Sequence, residues 1–276
     1  MRLHVTEHGS GKGLAIEVCE LTHFYGTLPA VNKISFNVPQ GCILGLLGPN
    51  GAGKSTTLKM LTTLLPPTSG TARVSGFDIV EQPGCVRKHI GYVPQLVSAD
   101  GDLTAYENLL LSGRLYGLSR QFREKRIHEV LDFMGLLEDS RRLVNEYSGG
   151  MIRHLEIAQA LLHLPDVLFL DEPTVGLDPA ARQILWHRIG VLRKQFGTTI
   201  LMTTHDMEEA EVLCDTVAFM YGGRIVGIDS PAALKASLGA HATLSDVFVK
   251  FTGGSLTEGD SYSHVRQTRR TISHRK

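Results

Sequence analysis

The chain has few cysteines, no long apolar run and no excess of charge of either sign, and each scarcity removes a class of protein. Cys19, Cys42, Cys85 and Cys214 are scattered without Cys-x-x-Cys spacing. They suit a reducing cytosol, and no metal is assigned to them. No apolar run approaches the ~20 residues needed to cross a bilayer. Met1 to His8 lacks the apolar core of a signal peptide, so any membrane residence is expected through a partner. Lys+Arg and Asp+Glu are both 28, so gross charge gives no argument for nucleic-acid binding. With 276 residues, 42% hydrophobic and 20% charged, the chain can bury a sizeable core and reads as globular.

What is present is a phosphate-binding loop in the context its mechanism needs. Gly48-Pro49-Asn50-Gly51-Ala52-Gly53-Lys54-Ser55-Thr56 fits G-x-x-x-x-G-K-[ST]. Ile43 to Leu47 ahead of it reads as a buried strand, and Thr57 to Leu61 behind it as the start of a helix. Glycines let the backbone turn its N–H groups onto a polyphosphate, and the helix N-terminus adds a positive dipole end. Lys54 can reach the β- and γ-phosphates, and the Ser55 hydroxyl is placed for Mg²⁺. This stretch predicts binding of ATP or GTP.

Hydrolysis needs carboxylates at the end of another buried strand. Val167-Leu168-Phe169-Leu170 delivers Asp171, a candidate Mg²⁺ ligand, and Glu172, a candidate to polarise the attacking water. A third apolar stretch, Thr198 to Thr204, ends in His205, which can bond a γ-phosphate. Among 12 histidines it is singled out by that position and by the acidic Asp206-Met207-Glu208-Glu209 behind it. Gln95 ends the short apolar run Ile90 to Pro94, where its amide can meet Mg²⁺. Tyr25 follows a strand-like segment, Ile16 to Thr22, and offers a ring on which a base can stack.

Tyr147-Ser148-Gly149-Gly150-Met151, leading into an apolar-periodic helix, is a second helix terminus able to meet an anion. The order of motifs resembles the ATPase subunit of ATP-binding cassette (ABC) transporters across roughly Ala15 to Pro231. Tyr25 is followed by the phosphate loop, the Q-loop at Gln95, the signature at Tyr147 to Met151 and the Walker B strand at Val167 to Glu172. The D-loop Gly176-Leu177-Asp178-Pro179 and the switch histidine His205 complete it. The resemblance implies an α/β fold: a RecA-like P-loop NTPase core with a β-subdomain and an inserted α-helical subdomain. It implies ATP and Mg²⁺ as ligands, with Asp178 also at the nucleotide. It further implies that Ser148, Gly149 and Gly150 cap the γ-phosphate of ATP held by a second subunit. One phosphate loop and one signature then make half of a motor. Its expected partners are a second ABC ATPase subunit, most simply a copy of itself, and an integral-membrane permease at the cytoplasmic face of the membrane.

Asp102 to Leu109, Gly113 to Leu118 and His205 to Asp215 resemble ATPases of ABC type-2 exporters, which include antibiotic and multidrug efflux and sodium extrusion systems. In that family the loop after Gln95 meets the membrane subunit, with Tyr106, Leu109 and Leu110 as candidate contacts; ordinary helix packing is an equal alternative for all three. Ile152-Arg153-His154 departs from the basic triplet common after the signature, and Gln159 replaces a common Arg. The alternative is an ABC ATPase acting on soluble machinery in DNA repair or translation. Repair types carry long coiled coils and translation types two cassettes; neither pattern is found. A phosphate-loop kinase or GTPase gives no reason for Ser148-Gly149-Gly150 or His205.

Residues 15–250 are expected to form a single domain, with an α/β core from 15–95 and 163–235 around a helical insert at 96–162. Residues 1–14 are expected to be an extension. The polar, Ser/Thr/Arg-rich 253–276 is expected to be a disordered tail.

Overall fold

Leu14–Tyr25 (β1) and Leu28–Pro39 (β2) pair antiparallel across Gly26, whose φ of 62° makes the turn. A computed structural model describes residues 13–239 and 241–253. Ile43–Leu47 (β3) follows, then the phosphate loop and Lys54–Leu61 (α1). Ser69–Val74 (β4), Phe77–Asp78 (β5), Pro83–His89 (α2) and Ile90–Val93 (β6) complete the first stretch. Ala105–Leu115 (α3), Arg120–Phe133 (α4) and Gly149–Leu161 (α5) make up the helical part. The chain then returns through Val167–Asp171 (β7), Pro179–Phe196 (α6), Thr199–Thr204 (β8) and Met207–Leu213 (α7). Thr216–Tyr221 (β9), Arg224–Asp229 (β10), Pro231–Ala236 (α8) and Leu244–Thr252 (α9) follow.

Two sheets result: β2-β1-β4-β5, antiparallel, and β10-β9-β3-β8-β7-β6, parallel except for β10 at its edge. Strands β3, β7 and β8 are buried at every residue, as strands covered on both faces must be. Their side chains alternate between two cores. Ile43, Leu47, Leu168, Leu170, Ile200 and Met202 pack with α5 and α6 residues such as Leu155 and Leu185. Leu44, Leu46, Val167, Phe169 and Leu201 pack with Leu58 and Leu61 of α1 and with the antiparallel sheet.

The parallel register decides where chemistry collects. Leu47 pairs with Thr204, and Asp171 with Thr203, so β3, β7 and β8 end level with one another. The phosphate loop, the Asp171-Glu172 pair and His205 therefore leave the sheet at one edge, outside the carboxyl ends of the strands, where open α/β sheets bind ligands.

Local chemistry sets the helix starts. Thr104 and Glu107 form a reciprocal capping box at α3. Ser148 caps α5, and Asp178 caps α6 with Pro179 in its first turn. Gly222-Gly223, a hairpin signal in the sequence between Val217 to Tyr221 and Arg224 to Ile228, turns β9 into β10. Two boundaries differ from the sequence reading. β4 begins at Ser69, inside Pro66-Pro67-Thr68-Ser69-Gly70, a stretch whose composition reads as a loop, because Ser69 pairs with Thr22 of β1. β1 runs on to Tyr25, because β2 continues to pair with it as far as Leu28. Of the expected N-terminal extension, Leu14 belongs to β1, and of the expected tail, Gly253 caps α9; residues 1–12 and 254–276 lie outside the described residues.

Candidate nucleotide-binding site

Gly53 has a φ of 102°, and a Cβ there would lie 2.4 Å from the Ala30 carbonyl oxygen. A Cβ on Gly48 would lie 2.2 Å from the Met220 carbonyl oxygen, so loop and sheet approach with no room for side chains. From that seat α1 starts at Lys54, which is 4% exposed. Its ammonium donates to the carbonyls of Gly48 at 2.7 Å and Pro49 at 3.2 Å, and lies 3.2 Å from Glu172 Oε1. Burial pushes the Lys54 pKa down, against the pull of Glu172 and Asp171.

The Ser55 hydroxyl donates to Asp171 Oδ1 at 2.9 Å, and the Thr203 hydroxyl donates to the same oxygen at 2.6 Å. Glu172 then turns out of β7 with a φ of 48°, a left-handed conformation costly for a residue with a Cβ. What fixes it is Thr203, whose Oγ1 accepts the Glu172 amide at 2.9 Å. The turn aims the Glu172 carboxylate at three groups from separate segments. Lys54 meets Oε1, Gln95 Nε2 donates to Oε2 at 3.2 Å, and His205 Nδ1 lies 3.4 Å from Oε2. Glu172 is 5% exposed, whereas the His205 side chain is half exposed. The site thus has a closed carboxylate and an open imidazole.

Lys54, Ser55, Gln95, Asp171, Glu172 and His205 are therefore brought together. Gly48, Pro49, Asn50, Gly51, Ala52, Gly53 and Thr56 form the loop and first turn around them. Ser148, Gly149, Gly150, Asp178 and Tyr25 are not joined to this group by any hydrogen bond or ion pair among the described residues. The Ser148 hydroxyl accepts the Met151 amide of its own helix, and Ser148 and Gly149 are exposed. Asp178 accepts the Ala181 amide at 2.9 Å. Tyr25 is 52% exposed and meets His23 edge-on, with ring centroids 4.7 Å apart.

The acidic residues behind His205 take other work. Asp206 caps α7 and pairs with Arg182 at 2.8 Å. Glu209, 1% exposed, accepts from the Thr174 hydroxyl and the Trp186 indole, and burial pushes its pKa up. Thr203 was given no role in the sequence reading, because β8 carries three threonines, Thr199, Thr203 and Thr204, and the pattern does not single out the one that meets Asp171. Of the expected membrane-subunit contacts, Tyr106 is 39% exposed, but Leu109 is fully buried in the helical part and cannot serve. Leu96 and Val97, just past Gln95, are 81% and 61% exposed.

Mg²⁺ favours oxygen donors, keeps waters and takes one or two carboxylates beside substrate phosphates. The Ser55 hydroxyl, Asp171 carboxylate and Gln95 amide oxygen form such a donor set, so these residues fit the ion.

Fold and site together define a phosphate-loop nucleotide hydrolase. The family model described as ABC transporter matches residues 31–175. The daunorubicin/doxorubicin resistance ATP-binding protein of Streptomyces peucetius is 45% identical over 82% of this chain and 68% of that protein. The Nod factor export ATP-binding protein I of Paraburkholderia xenovorans is 44% identical over 81% of this chain and 73% of that protein. Among solved structures, an ATP-binding subunit of an ABC transporter superposes with a TM-score of 0.77 at 30% identity, covering 86% of this chain and 99% of the other. A dimeric ATP-binding cassette in a post-hydrolysis state with ADP and phosphate gives 0.70 at 25% identity, covering 78% and 98%. The chain belongs to the ABC transporter family, as an ATP-binding and ATP-hydrolysing subunit.

Proposed function

We propose that two copies of this chain close head to tail on two MgATP and drive export through a separate membrane permease at the cytoplasmic face of the membrane. The observation that carries the reading is the division of the site. The residues around Glu172 are gathered into one cluster, while Ser148 and Gly149 at the α5 N-terminus are exposed and, among the described residues, the Ser148 hydroxyl is bonded only within its own helix. Such a terminus, with unpaired N–H groups and a positive dipole end, is built to receive an anion from outside the chain.

In this reading the 48–56 backbone and Lys54 hold the β- and γ-phosphates, and Tyr25 stacks on the base. Ser55, Asp171 and Gln95 hold Mg²⁺, which when bound offsets phosphate charge. Glu172 orients the attacking water and draws on its proton, and His205 bonds the γ-phosphate. Ser148, Gly149 and Gly150 complete the partner's site, with Asp178 at the seam. Exposed Leu96, Val97 and Tyr106 suit a membrane subunit. Among the described residues no helix is long and apolar enough to cross a membrane. The drug-resistance and Nod factor export roles in the names of the relatives favour export over soluble machinery.

The test is capture of the Glu172→Gln variant from detergent-solubilised native membranes with ATP and Mg²⁺. A dimer of the variant carrying a polytopic membrane protein is expected. A soluble partner or a ribosome, with no membrane protein, would keep the ATPase and overturn the export reading.

A further inference from the structure

Helix α5 carries a buried ion pair that an anion-facing terminus does not require. Arg153 and Glu156 are 6% and 3% exposed, and Arg153 Nη1 lies 2.9 Å from Glu156 Oε2. Charges on one helix three positions apart usually make a solvated pair of little consequence. Here the desolvation penalty can exceed the attraction, so the pair is a poor source of stability for its own sake.

Its outward bonds show where it acts. Arg153 donates to the Pro94 carbonyl at 2.8 Å and the Gln95 carbonyl at 3.0 Å. Glu156 Oε1 accepts the Ser98 amide at 2.5 Å and the Ser98 hydroxyl at 2.9 Å. All of these fall on residues 94–98. Gln95 is also the residue whose side chain donates to Glu172 at 3.2 Å. Its carbonyl is thus held by the helix that begins at Ser148, and its amide by the carboxylate beside Lys54.

We infer that Arg153 and Glu156 are positioning residues that clamp the backbone of 94–98 to α5. Displacement of the α5 terminus and withdrawal of Gln95 from Glu172 are then a single movement. The planar guanidinium matters, because one flat group meets the Glu156 carboxylate and two successive carbonyls at once. A lysine ammonium keeps the charge and loses that fork. The inference rests on the proposed reading, in which the Ser148 terminus meets nucleotide held by a second copy.

The test uses the full-length chain with Arg153→Lys and Gln95→Ala, singly and together. Arg153→Lys is expected to lower kcat about tenfold with KM within about threefold. In nucleotide-free protein it should also speed hydrogen exchange at the Ser98 amide, a readout independent of turnover. The double variant should be no slower than the slower single variant, because both changes cut one connection. Multiplied effects would mean that Arg153 does not act through Gln95 and would overturn the proposal. A wild-type kcat in Arg153→Lys would do the same. If Arg153→Lys does not fold, Glu156→Gln enters the same cycle with the same expectations. Ser148→Arg separates the two levels. Loss of hydrolysis there beside multiplied effects removes only the clamp, whereas normal hydrolysis in Ser148→Arg removes the two-chain reading and the clamp with it.

Discussion

At Lys54, burial works against the ammonium while Glu172 and Asp171 work for it, and Lys54 and Glu172 meet as a buried pair under the phosphate loop. In the proposed reading Lys54→Ala removes the cation that meets the phosphates, and it takes from Glu172, 5% exposed, its ion-pair partner. ATP affinity should fall about 100-fold or more, the loss of roughly 3 kcal/mol of charge-assisted contact. Titration with a fluorescent ATP analogue checks this, and unchanged affinity would contradict the assignment of the loop. His154 gives a second expectation at this scale. Burial, with the Arg188 charge second, pushes its pKa down from 6.5 to about 4. The unfolded chain takes up that proton first, so stability falls as pH drops from 6.5 towards 4 and levels off below that. The term is at most about 3 kcal/mol. Replacing His154 with Gln should flatten this limb in urea unfolding at stepped pH; an unaltered limb would mean that the imidazole titrates normally. Lys54, Asp171, Glu172 and His205 were legible in the sequence because each ends an apolar run or follows a glycine pattern. The Arg153–Glu156 pair was not. Written out, an arginine and a glutamate one turn apart look like a wet helix face, and only burial tells the cases apart.

Among the elements, the strand ends and the loop between β3 and α1 do most to make the site. Two glycines of that loop should behave differently. Gly51 has a φ of 81° with nothing near a Cβ, whereas Gly53 has a φ of 102° and a backbone oxygen at 2.4 Å. Gly51→Ala should cost about 1 kcal/mol of backbone strain, and Gly53→Ala about 3 kcal/mol as the clash is added. Denaturant unfolding with and without ATP measures both, and equal costs would contradict the close seating of the loop on β2. Strand and helix positions were readable because β3, Val167 to Leu170 of β7 and Ile200 to Met202 of β8 are apolar runs, and Ser148 is a strong cap. Ends set by tertiary pairing were less so. Ser69 reads as a loop residue until β1 arrives beside it, and Tyr25 reads as lying past its strand until β2 is paired. Leu109 was a plausible surface contact by sequence, yet helical packing buries it completely.

For the whole molecule, the chain gathers Lys54, Gln95 and His205 around Glu172, and no hydrogen bond or ion pair among the described residues joins the α5 terminus to them. The resemblance carried by the motif order made this arrangement expected, because it implies that the Ser148 segment caps nucleotide held by a second subunit. The central claim is that this terminus works in trans. Mixing Lys54→Ala with Ser148→Arg tests it most directly, since each variant alone should be nearly inactive. If the terminus serves a second copy, a mixed pair holds one intact site: the phosphate loop of the Ser148→Arg chain facing the Ser148 terminus of the Lys54→Ala chain. The expected result is ATP hydrolysis that appears on mixing and rises to a maximum near equal proportions. If the two inactive proteins stay inactive at every ratio while still associating, the terminus does not complete a site on another chain.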